Sequence, residues 1–83
     1  MNLNFSSNGR SYTATSTDIF MDNGAKIFFI ANGKHASPTA QRVELSAREW
    51  QRIKPNLTPV DYEAYYGRKP LMKGVIIYKL NNN

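Results

Sequence analysis

Asn-Gly occurs three times within residues 1–33, at 8–9, 23–24 and 32–33, and no other feature limits the fold so tightly. Asparagine and glycine both tolerate positive φ, which the two central residues of a type I′ hairpin turn require, so each pair marks a reversal between short strands. The flanking runs predict strands near 2–6, 10–15, 17–21, 25–31 and 41–45. Leu3 and Phe5 share one face of the first, Tyr12 and Ala14 one face of the second, and Val43 and Leu45 one face of the fifth, with Arg42 and Glu44 opposite. Ile27, Phe28, Phe29 and Ile30 fill both faces of the fourth, which therefore reads as a central strand covered on both sides.

A covering helix starts at Leu45-Ser46-Ala47-Arg48-Glu49-Trp50. Ser46 can accept from the Glu49 amide while the Glu49 carboxylate reaches back to the Ser46 amide, and Leu45 can staple onto Trp50. Trp50, Ile53 and Leu57 make an apolar stripe, with Arg48 and Arg52 four apart on another face. Pro55 ends this helix near Lys54. A second start is expected with Thr58 as cap, Pro59 at the first helical position and Asp61 near the positive end, and Gly67 is its stop. Residues 75–80 read as a final strand, and 81–83 as a frayed tail. The segment 35–40, HASPTA, is the best loop.

These elements predict an α+β fold: an antiparallel meander sheet of four to six strands with one or two short helices packed on one face. Eighty-three residues suit one domain, 1–83, because two cores of half that length would each fall below the size at which burial offsets chain entropy. No repeat at a solenoid period is visible. The absence of cysteine removes disulfides, thiolate zinc sites and a cysteine nucleophile, and fits a cytoplasmic setting. Neither a signal-peptide pattern nor a membrane span is visible, so no membrane partner is expected.

Enzyme chemistry lacks its parts. His35 has no second histidine or cysteine to share a metal or complete a nucleophilic triad. Asp61 and Glu63 diverge on a helix, Glu49 is assigned to capping, and no glycine-rich phosphate loop occurs. A non-enzymatic chain with no catalytic residue, metal or cofactor is the reading.

Charge is unevenly placed. Arg10 and Lys26 cancel Asp18 and Asp22 in residues 1–33, so the net excess of +5 falls in residues 34–83. Tyr62, Tyr65, Tyr66, Arg68 and Lys69 fall close together, followed by Lys73, and aromatic faces beside cations suit stacking on unpaired bases with phosphate contacts. Tyr62 and Tyr66, four apart, are the pair expected to pack inward, which leaves Tyr65 for the surface.

The segment 23–54, with NGAKIFFIANGK, the strand QRVEL and the capped helix SAREWQRIK, resembles the transcriptional positive cofactor four family of single-stranded-DNA-binding domains. Val43, Leu45, Ser46 and Trp50 carry the strand-to-capped-helix pattern. The resemblance implies a nucleic-acid surface on the sheet face of Lys26 and Lys34, with Arg42 beside it. The sequence runs nearly thirty residues past the point where the family's dimer-forming helix closes its domain, and homodimerisation stays open.

The expected function is therefore nucleic-acid binding, with single strands favoured, through Lys26, Lys34, Arg42, Arg48, Arg52, Tyr65, Arg68, Lys69 and Lys73. The alternative is a small phage-type inhibitor or adaptor that occludes a host protein, such as a nucleic-acid-processing or defence complex, through its basic surface; its partner would be an acidic or nucleic-acid-binding protein.

Overall fold

The computed structural model describes residues 2–33, 42–70 and 73–81. Its strands are β1 (Leu3–Ser7), β2 (Arg10–Ala14), β3 (Ile19–Asp22), β4 (Ile27–Ile30), β5 (Arg42–Leu45), β6 (Leu57–Val60) and β7 (Ile76–Leu80). Its helices are α1 (Ala47–Ile53), continued by a 3₁₀ turn over Lys54–Asn56, and α2 (Tyr62–Tyr66).

β1 and β2 form a two-stranded hairpin in which Ser7 faces Arg10 across the turn. Asn8 and Gly9 take φ of 51° and 77°, the turn that the dipeptide predicts. The other two Asn-Gly pairs are used differently. At 23–24 the connection is four residues long, and the side chains of Asp22 and Asn23 accept from the amides of Gly24 and Lys26 at 2.8 Å each. At 32–33 Asn32 is left-handed, whereas Gly33 is buried against Ile19, where a Cβ would overlap that side chain.

The remaining strands form one sheet in the order β5-β4-β3-β7-β6, antiparallel at every step. β4 is covered on both sides, as its composition requires. On one face Phe20, Phe29, Val43, Leu45, Leu57 and Tyr78 meet Phe5 and Ala14 of the hairpin and Trp50 and Ile53 of α1. Trp50 stands edge-on to Tyr78 at 5.0 Å. A seven-residue helix is too short to persist alone, so α1 is held by these two anchors, each contributing about 1.5–3 kcal/mol of burial. On the opposite face Ile19, Ile30 and Ile77 pack beneath Tyr62, Tyr65 and Tyr66 of α2.

Five expectations are corrected. The helices cover opposite faces of the sheet, not one, because α2 is apolar only through its tyrosines and these close the second side of β4 and β3. The sheet is not a simple meander: β7 inserts between β3 and β6, and the first hairpin is a separate layer. Thr58 and Pro59 belong to β6, and Asp61 is the cap of α2, accepting from the Ala64 amide at 3.0 Å. β6 lies at the sheet edge, where a proline without an N–H is tolerated. The capping box is half formed: Ser46 accepts from the Glu49 amide at 3.2 Å, but the Glu49 carboxylate turns away to β1. Asn81, expected in the frayed tail, is held by its amide, which donates to the Asn56 carbonyl at 3.0 Å; residues 82–83 lie outside the described residues. The loop at 35–40 lies outside the described residues.

A candidate nucleic-acid interface along strand β5

Carboxylates in this fold are used on the chain itself. Asp18 accepts from the amides of Thr15 and Asn32 at 2.8 and 2.9 Å, Asp22 from Gly24, and Asp61 caps α2. Glu44 pairs with Lys26 at 3.5 Å, and Glu49 with Arg52. Arg10, Arg42, Arg48, Arg68, Lys69 and Lys73 are exposed, with no carboxylate within 4.0 Å among the described residues. The positive charge of these six side chains is therefore not answered by an ion pair among the described residues.

Three of these cations line two adjoining hollows. The β1–β2 turn leans over the outer edge of β5, where the Ser7 hydroxyl donates to the Glu44 carbonyl at 2.7 Å. A hollow opens on each side of this bridge. The larger, about 680 Å³, lies toward α1 and is walled by Ser6, Ser46, Arg48 and Arg52. The smaller, about 270 Å³, lies between β2 and β5 and is walled by Arg10, Tyr12 and Arg42. Ser7, Asn8 and Glu44 border both. All four cations of the groove are arginines, whose planar fork matches two oxygens of a phosphate at once.

One carboxylate sits deep in the larger hollow. Glu49 accepts from the Ser6 amide at 2.6 Å and from Arg52 Nε at 2.5 Å, and Arg52 Nη2 reaches the Asn4 carbonyl at 2.9 Å. The Arg52 hydrogen bond first, then the Ser6 amide, hold the Glu49 carboxyl down at about 2, and Arg52 is raised in return. Glu49 thus neutralises Arg52 and fastens the hairpin to α1, while Arg10, Arg42 and Arg48 keep their charge.

Of the residues expected to bind, Arg42, Arg48 and Arg52 line the groove, the last already paired. Lys26 is paired with Glu44 at the β3–β4 turn. Arg68 and Lys69 follow the left-handed Gly67 at the end of α2, and Lys73 precedes β7, so these form a separate basic region. Lys34 lies outside the described residues. Tyr65 is not the open stacking platform that its spacing predicts. It is half-buried against the Ile19–Ile30–Ile77 cluster, with Lys79 Nζ 5.3 Å above its ring, and burial and then Asp18 push its hydroxyl up. Tyr66 is more enclosed: burial pushes its phenol up to about 12, and its hydroxyl has no partner among the described residues. The expectation missed Arg10 and Tyr12. Register alone puts them on the hairpin, but no sequence signal says which strand edge the hairpin covers.

Among the described residues no three His, Cys, Asp or Glu side chains gather into a metal-holding group, and no helix is long and apolar enough to cross a membrane. Comparison with known proteins gives no significant match among family models, curated sequences or solved structures.

Proposed function

We propose that this chain is a non-enzymatic nucleic-acid-binding module that grips a phosphodiester backbone in the arginine groove along β5. The observation that carries the reading is that Arg10, Arg42 and Arg48, drawn from three separate segments, line adjoining hollows whose two carboxylates, Glu44 and Glu49, are paired with Lys26 and Arg52, which leaves the three without an ion pair among the described residues. Gathering like charges costs free energy in the empty protein, a cost that a polyanion reverses by releasing its own counterions. The Asn8 side-chain amide and the Ser46 hydroxyl, which accepts from Glu49 and keeps its own proton to donate, border the same groove and suit phosphate oxygens. The resemblance over 23–54 points to the same ligand but to the sheet face at Lys26, where Glu44 already answers the charge. An extended peptide is a poorer fit, because Ser7 occupies the β5 carbonyl that an added strand would need.

The test is fluorescence anisotropy with a labelled oligonucleotide of about ten nucleotides over a salt series. Each phosphate contact contributes about 0.7 (single strand) to 0.9 (duplex) to the slope, so the Arg10→Ala/Arg42→Ala/Arg48→Ala protein should lose about two to three. Arg68→Ala/Lys69→Ala, outside the groove, should keep the wild-type slope. An unchanged slope in the triple variant would remove the groove from the reading. Wild-type binding that is undetectable at about 50 mM salt would transfer the basic surface to a protein partner, as in the inhibitor alternative.

A further inference from the structure

The ten aromatic side chains decide which form of nucleic acid the groove can hold. Phe5, Phe20, Phe29, Trp50 and Tyr78 are buried. Phe28, Tyr62, Tyr65 and Tyr66 belong to the cluster beneath α2, on the far face of the sheet. Tyr12 differs. One face of its ring lies parallel to Phe5, 5.3 Å between centroids and 17° between planes, and the half-exposed remainder walls the smaller hollow between Arg10 and Arg42.

We infer that the groove takes a single strand, with one unpaired base stacked on the outer side of Tyr12 and the adjoining phosphates held by Arg10 and Arg42. A base inside a duplex presents only its edge, its faces being covered by neighbouring pairs, so an aromatic ring on the wall of a hollow that also carries Arg10 and Arg42 is matched only by a base that has left the stack. Phe5 fixes the ring from behind, so little side-chain freedom is lost when the base arrives. The inference rests on the groove reading above, and its failure is separable from the failure of that reading.

The experiment compares a single strand with a duplex of equal length on wild type, Tyr12→Leu and Tyr12→Phe, each checked for folding by Trp50 fluorescence. The single strand should bind wild type more tightly than the duplex. Tyr12→Leu, which keeps an apolar contact with Phe5, should weaken single-strand binding roughly ten- to hundred-fold at every salt concentration without changing the slope, and Tyr12→Phe should restore it. Equal affinity for both forms, or wild-type affinity in Tyr12→Leu, overturns the inference while the arginine variants still uphold the groove. If neither form binds wild type, the groove reading falls and this one with it.

Discussion

Replacing Glu49 by glutamine should uncouple the hairpin from α1, and the size of the effect follows from the geometry. A carboxyl drawn from an ordinary value of about 4.3 down to about 2 is worth about 3 kcal/mol at face value. Over half of the Arg52 side chain faces solvent, so screening reduces the net contribution to about 1 kcal/mol. Because the folded value is depressed, that stability is complete above the unfolded value, near pH 4.3, and is lost as pH falls toward 2. Trp50, the single tryptophan, is buried among Phe20, Tyr78 and Ile53 and reports unfolding directly. At pH 7, Glu49→Gln should lower the urea midpoint by about 1 M, taking a slope near 1 kcal/mol/M. The gap between wild type and variant should close between about pH 4 and pH 2, whatever the other carboxyl groups contribute, since they titrate in both proteins. A gap that stays constant down to about pH 2, or no gap at neutral pH, would refute the reasoning.

Gly33→Ala should cost about 1–3 kcal/mol, read from the same midpoint, because the new methyl enters the space of Ile19, which is fully buried. Ser46→Ala should cost about 1 kcal/mol through the lost cap, and an unchanged midpoint would remove Ser46 from that role. Tyr66→Phe should leave stability unchanged or raise it by up to about 1 kcal/mol in chemical denaturation, since it deletes a buried hydroxyl that has no partner among the described residues.

Local signals in the chain reach as far as local structure does. The turn at Asn8-Gly9, the cap at Ser46, the doubly covered strand around Phe29 and the stop at Gly67 are all visible as short patterns with one physical meaning. Thr58-Pro59 misleads because the same dipeptide suits a helix start and an edge strand. What decides between them is Leu57 facing Leu80 and Val60 facing Ile77, pairings made across some twenty residues. The order β3-β7-β6 is equally hidden, since any of the apolar strands could have paired with β3 on hydrophobic pattern alone.

The candidate groove is legible only in part: Arg42, Arg48 and Arg52 stand among the residues expected to bind, and Arg10 does not. Counting charge along the chain cancels Arg10 against an aspartate and assigns the excess to residues 34–83. In space that cancellation fails, because Asp18 accepts from the amides of Thr15 and Asn32 and Asp22 from that of Gly24, while Arg10 stands across from Arg42. A carboxylate committed to backbone amides still counts in the net charge, but it makes no ion pair with a distant arginine. The partner of an arginine is therefore set by which surface its strand faces. Here the type I′ turn does this: it folds β2 back onto β1, the pair lies over Phe29 through Phe5 and Tyr12, and the polar tip of the hairpin comes to rest on β5. The same packing that closes the core builds the groove. A change that loosens Phe5 should therefore carry Arg10 away from Arg42 before it unfolds the sheet.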